Sequence, residues 1–291
     1  MKKKLILGAV MGYSFDKLKP FVRSIKQTSY DGDVCLLTNK CPAETADILK
    51  QEGVLSKKFK YRGKDTMNSW SKYWKYIRPF LIKNNNSLNR AILKEILPLQ
   101  TVRFLYYNDY LKKNREQYSH VLLTDVRDVV FQEDPFILSH ENTINCYEEY
   151  LYIKDEKQYN QVWIKMLFGE EVLTGLLEHK ILCSGTIIGP IDKMIELLDD
   201  FEKVLINSFW IAVSGSDQGA YNYLIYTQYK DSVKFNPFGT GEVLTVHNDE
   251  ETVFSIKNNK LFYSNGELIP VVHQYYRSKK ISSLVDTLYN A

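Results

Sequence analysis

A chain of 291 residues with 44% hydrophobic content is long enough to bury one large α/β core or two small ones. Its 38 basic and 35 acidic residues leave a formal charge of +3, too weak a field to argue for nucleic acid as a partner. No run approaches the roughly 18 apolar residues of a membrane span, and Cys35, Cys41, Cys146 and Cys183 carry no C-x-x-C pair or zinc spacing, the pattern of reduced thiols in a cytoplasmic protein.

The first residues, Met1-Lys2-Lys3-Lys4 and then an apolar run, have the charge order of a signal peptide. The run is too short for one and no small-residue cleavage site follows, so Leu5 to Val10 reads as a first strand. A helix over Lys17 to Thr28, a strand over Asp33 to Thr38 and a helix over Ala43 to Glu52 complete the β-α-β-α order of a Rossmann-like half with a parallel sheet. Neither G-x-G-x-x-G after the first strand nor G-x-x-x-x-G-K-[ST] anywhere is present, which demotes dinucleotide dehydrogenases and P-loop enzymes.

From Trp70 to Lys113 helices are expected, broken near Asn84-Asn85-Asn86 and Pro98, the last spanning Thr101 to Lys113. It leads into Tyr118-Ser119-His120-Val121-Leu122-Leu123-Thr124, a buried strand that ends in Asp125-Val126-Arg127-Asp128. Ligands of open α/β sheets bind beyond such strand ends, and two converging acids offer hard oxygen ligands to a divalent cation. The bland alternative is that one acid pairs with Arg127 or caps a helix. Further on come a turn at Asp134-Pro135, a strand from Thr143 to Tyr147, a helical tract around Tyr159 to Glu178, the run Ile181 to Gly189, and a helix from Asp192 to Leu205. Gly215-Ser216-Asp217-Gln218-Gly219 opens another helix, for which Ser216 is the expected cap. The tail from Leu261 to His273 reads as a hairpin around Asn265-Gly266 ending in the strand Ile269 to Val272.

Three separated segments carry a family resemblance: Thr124-Asp125-Val126-Arg127-Asp128, Ser216-Asp217-Gln218-Gly219-Ala220-Tyr221-Asn222, and Val271-Val272-His273-Gln274-Tyr275. In order and spacing the chain resembles the GT-A nucleotide-sugar glycosyltransferases, within them the glycogenin-like group. The stretch Asp125 to Pro135 also resembles plant and bacterial nucleotide-diphospho-sugar transferases. The resemblance implies a GT-A fold in one continuous α/β domain, with a nucleotide-binding half over 1–128 and a sugar and acceptor half over 129–291. It further implies Mn²⁺ or Mg²⁺ on Asp125, Asp128 and His273, a mixed N/O donor set that suits those ions better than zinc. With an ordinary imidazole pKa near 6.5, the metal is expected to weaken below about pH 6. The family places its two acids two apart; here they are three apart, which puts the family role of each acid in doubt.

By the same resemblance Asp217 and Gln218 face the reacting sugar, against the plain alternative that Asp217 only meets a helix dipole. Tyr13, after the first strand, is expected against the base, and Arg103 and Asp125 near the phosphates and ribose. Ser184 and Gly185 are expected beside the sugar, where glycine permits close approach. Lys72, in Ser71-Lys72-Tyr73-Trp74, resembles a family lysine segment. The implied activity is transfer of a sugar from a nucleoside diphosphate donor, UDP foremost, to a hydroxyl of a glycan, glycolipid or protein acceptor. The D-Q-G-x-x-N likeness is to retaining enzymes. Two rival readings are a haloacid-dehalogenase-like phosphatase, weakened because Arg127 stands where that motif needs its second acid, and a noncatalytic glycan-binding protein of the same fold.

Overall fold

A computed structural model of the chain describes residues 2–61, 86–138, 142–208, 215–248 and 253–290. Lys72 and the start of the helical tract expected from Trp70 lie outside the described residues.

The apolar runs of the first half become β1 (Lys3–Met11), β2 (Asp33–Asn39), β3 (Leu55–Lys58) and β4 (Tyr118–Thr124), parallel and ordered β3-β2-β1-β4. Side chains alternate across a strand, so Leu5, Leu7, Cys35 and Leu37 enter one core while Ile6, Val10 and Leu36 enter another on the opposite face. Burial on both faces is why these strands read as unbroken apolar runs. Helices α1 (Lys19–Lys26) and α2 (Ala43–Gln51) supply Phe21, Val22, Ile25 and Leu49 to the second core. Helices α3 (Asn86–Ile96) and α4 (Leu99–Lys113) supply Leu93, Val102, Phe104 and Leu105 to the first.

Beyond β4 the chain adds β5 (Val129–Phe131), β6 (Ile144–Tyr152), helices α5 (Asn160–Phe168) and α6 (Glu170–Leu176), then β7 (Lys180–Leu182) and β8 (Thr186–Pro190). Helix α7 (Ile191–Ser208) and helix α8 (Ser216–Leu224) precede β9 (Val233–Asn236). Antiparallel β8 inserts between β4 and β6, and β7 and β9 pair with β6, so one eight-stranded mixed sheet takes strands from both halves of the chain. The architecture is mixed α/β. Among the described residues no helix is long and apolar enough to cross a membrane.

The tail departs from expectation. The regular hairpin joins β11 (Phe254–Lys257) to β12 (Lys260–Tyr263), turning at Asn258 and Asn259, whose φ of 51° and 61° are left-handed. Asparagine tolerates that region, which makes this pair the turn. Asn265-Gly266 does turn the chain, but only into a single bridge between Phe262 and Leu268. The last strand, β13 (Val271–His273), leaves the hairpin and lies between β10 (Val243–Thr245) and β5. Helix α9 (Lys279–Val285) closes the third core with Ile281 and Val285.

Candidate metal and ligand site

Register brings the site together. In the small sheet His273 pairs with Val129, one residue past Asp128, and with Thr245 on the other side. In the large sheet Thr124 pairs with Thr186, and the Asp125 N–H donates to the Gly185 carbonyl at 2.7 Å. The turn after β4 turns Val126 into the core and leaves Arg127 exposed. The intervening residues are thereby taken out of the way, and ligand atoms of Asp125, Asp128 and His273 all lie within 4.8 Å of one another. Asp125 pairs with Arg103, from a helix distant in sequence, rather than with the adjacent Arg127.

Gly185 lies over this cluster. A Cβ there would come 2.6 Å from Asp125 Oδ2 and 3.0 Å from His273 Nε2, so a side chain would fill the space between two of the three donors. Two carboxylates and an imidazole this close together are a donor set that could hold a divalent cation.

His273 is fully buried. Its Nε2 stands 3.3 Å from Asp125 Oδ2, and its Nδ1 lies 3.2 Å from Thr245 Oγ1 and 3.4 Å from Cys183 Sγ. Burial opposes the imidazolium, but Cys183 and Asp125 outweigh it and hold the pKa well above its ordinary value. A raised pKa lets the proton compete for this imidazole at higher pH than an ordinary histidine would. Burial alone would push the Asp125 carboxyl up; the Arg103 guanidinium and His273 overcome this and hold it well below the usual carboxylate range. For Asp128 burial wins and the carboxyl is pushed up, against His273 and with Asp125.

Arg103, on α4, is a buried counterion more than an outward phosphate hook: its guanidinium pairs with Asp125 and reaches Asp217 Oδ2 at 3.7 Å. Ser184 Oγ donates to that same Oδ2 at 3.3 Å. Burial pushes the Asp217 carboxyl up to about 6, Arg103 opposing and Asp125 adding to the shift. Ser216 is not the cap of α8: Gly215, at φ 90°, holds the N-cap position, and the buried Ser216 hydroxyl lies 3.4 Å from Thr101 Oγ1. Gln218 Nε2 donates to Glu149 Oε1 at 3.1 Å and to Asn160 Oδ1 at 3.2 Å.

A cavity of about 200 Å³ joins these groups. Arg103, Asp125, Asp217, Gln218 and His273 line it, as do Ser184 and Gly185. Tyr13 and Asp128 do not, although the half-buried Tyr13 stands near Arg127 and both acids of the turn. Among the described residues, three buried polar atoms on its lining have no hydrogen-bond partner: Arg103 Nε, Asp217 Oδ1 and Gln274 Oε1. Buried polar groups are nearly always satisfied, so a cluster of orphans marks a place for a polar ligand. Residues not foreseen from sequence are Trp163, Gln100 and Gln274 on the cavity wall, Thr245 and Cys183 behind His273, and Glu149 behind Gln218. Cys183 and Gln274 carried a signal, since they adjoin Ser184-Gly185 and His273.

No protein-family model matches this chain, and no curated protein matches it. The site's own geometry therefore carries the functional argument.

Proposed function

We propose that this chain is a metal-dependent glycosyltransferase of the GT-A class, moving a sugar from a nucleoside diphosphate, UDP foremost, to a hydroxyl acceptor. The observation that carries the reading is the convergence of Asp125, Asp128 and His273, with Gly185 close against Asp125 and His273, next to a cavity with orphaned polar atoms. Its support also includes the parallel half-sheet, whose β4 delivers the first acid at its carboxyl end.

Asp125, Asp128 and His273 would hold manganese or magnesium, which supplies positive charge to the leaving diphosphate when bound. The protein groups do the rest. Arg103 keeps Asp125 ionised and in place through a buried ion pair. Thr245 and Cys183 pin the far side of the His273 ring. Asp217 presents an unpartnered Oδ1 beside the cavity, where a carboxylate stabilises positive charge developing on an anomeric carbon or accepts from a sugar hydroxyl. In the transfer, the acceptor oxygen bonds to that carbon as the bond to the diphosphate breaks. The bonding pair leaves on the diphosphate, and the acceptor proton passes to one of the oxygens facing it.

The direct test is nucleotide release from a panel of UDP-sugars with Mn²⁺ and with chelator. A transferase slowly releases UDP from its donor only with metal, a phosphatase prefers a monoester, and a binding protein does neither. Equal release with and without metal would remove the reading.

A further inference from the structure

Gln274 follows the candidate metal ligand His273 in a backbone conformation that glutamine seldom adopts. Its φ of 55° and ψ of 37° are left-handed. Among the described residues three other non-glycines have positive φ: the exposed Lys40 just past β2, and Asn258 and Asn259 in the turn between β11 and β12. Asparagine tolerates that region because its short side chain bonds locally, an advantage glutamine lacks. The turn itself needs only backbone. It swings the chain from β13 into the 3₁₀ turn Tyr275–Arg277, where the Gln274 carbonyl accepts from the Arg277 N–H at 3.0 Å, and glycine would adopt it without steric cost. Strained residues of this kind cluster at ligand sites, so the side chain is what the position has to explain.

That side chain lines the cavity together with Asp217 and Arg103, and its Oε1 is buried with no hydrogen-bond partner. The orphans beside it are a second acceptor, Asp217 Oδ1, and one donor, Arg103 Nε. An unpaired buried acceptor costs free energy that a ligand's O–H recovers. Two acceptors and one donor match a polyhydroxylated group, since each hydroxyl both donates and accepts. A carboxylate fits poorly. It would accept from Arg103 Nε but leave both acceptors empty, and it would face Asp217 and Asp125 where the Arg103 charge is already paired with Asp125. At about 200 Å³ the cavity is below the roughly 300 Å³ at which pockets for drug-sized ligands begin, which suits one sugar ring rather than a whole nucleotide.

We infer that Gln274 reads a free hydroxyl of the donor sugar, so that the donor carries a neutral sugar and Gln274 sets which one is accepted. The inference rests on the transferase reading for placing a nucleotide-linked sugar in the cavity. It gives the Gln274 side chain no part in holding the metal or the diphosphate.

The experiment is calorimetric titration, in Mn²⁺, of UDP, UDP-glucose, UDP-galactose, UDP-xylose, UDP-N-acetylglucosamine and UDP-glucuronate into wild type, Gln274→Met and Gln274→Gly. Methionine keeps the length and the backbone strain but removes the acceptor; glycine removes both. Affinity for the tightest neutral donor should fall about tenfold in each variant, with UDP and Mn²⁺ affinities unchanged and the Tm of Gln274→Gly at or above that of wild type. Singly deoxygenated analogues of that donor complete the cycle: the one lacking the hydroxyl that Gln274 reads should bind wild type about tenfold more weakly and be indifferent to Gln274→Met. UDP-glucuronate bound more tightly than UDP-glucose, equal losses for UDP and its sugars, a lower Tm in Gln274→Gly, or no analogue indifferent to the substitution would overturn the inference. The two readings fail separately. A retained sugar contrast without metal-dependent nucleotide release removes the transferase and keeps the Gln274 contact, whereas metal-dependent release with no contrast between wild type and Gln274→Met removes the contact alone.

Discussion

Gly185 faces His273 so closely that a Cβ on it would lie 3.0 Å from Nε2 and 2.6 Å from Asp125 Oδ2. Contacts under about 3 Å force something to move, and here the obstacles are two of the three candidate metal donors. Gly185→Ala should therefore fold yet lose most of its metal-dependent stabilisation by UDP, measured as the difference in Tm with Mn²⁺ and with chelator. An unchanged difference would show that the cradle beneath Gly185 is not where the metal sits.

Asp128 is a carboxylate whose charge the fold tolerates poorly, burial having pushed its pKa up. Asp128→Asn should leave the metal-free protein as stable as wild type or slightly more so, and abolish the metal effect. Transfer should fall by on the order of 10²-fold or more, as when an electrostatic stabiliser of a leaving group is removed. Near-normal turnover would leave the metal role to Asp125 and His273.

The proton on His273 gives a pH test. Its folded pKa stands above the ordinary value near 6.5, held up by Cys183 and Asp125 against burial. Metal binding needs the neutral ring and so releases that proton. Apparent Mn²⁺ affinity should rise with pH through the range above about 6.5, and calorimetry in buffers of different ionisation enthalpy should report proton release on metal binding at pH 7. No proton release at that pH would mean that His273 binds no metal or is already neutral.

For Asp217 the sign runs the other way from an ion-paired acid. Its pKa is about 6 in the fold and near 3.9 unfolded, so the folded state binds the extra proton between those values. Its contribution favours folding at low pH and is lost as pH rises from about 4 to about 6. Asp217→Asn should then gain Tm relative to wild type across that window and hold the gain at pH 7, while turnover drops by orders of magnitude. A turnover ratio near one would return Asp217 to a purely structural role; a flat Tm difference from pH 4 to pH 7 would contradict the buried, raised carboxyl.

The parallel strands were legible because burial on both faces leaves long apolar runs: Leu5 to Val10 sits inside β1, and Asp33 to Thr38 inside β2. Asp125 and His273 could be placed at strand ends for the same reason. What sequence did not disclose is side-chain reach across the fold. Arg103 meets Asp125 and Asp217 only after α4 docks beside the sheet end, and no local pattern encodes that. Trp163 carried no local signal, because its neighbour Gly215 makes room for an indole only in three dimensions. The cap of α8 was misread as Ser216 since a serine before a helix is a common cap, whereas the left-handed Gly215 starts the helix one residue earlier.

The central claim is a divalent metal on Asp125, Asp128 and His273 that receives a nucleoside diphosphate, and a thermal-shift titration of UDP with Mn²⁺ against UDP with chelator tests it most directly. Ligand at 100 times its dissociation constant adds about 2.7 kcal/mol, on the order of 5 °C or more for a chain of this size. The account predicts that shift with Mn²⁺ and little or none with chelator, since the diphosphate would otherwise face Asp125 and Asp128 without compensation. Equal shifts in both conditions, or none in either, would contradict it.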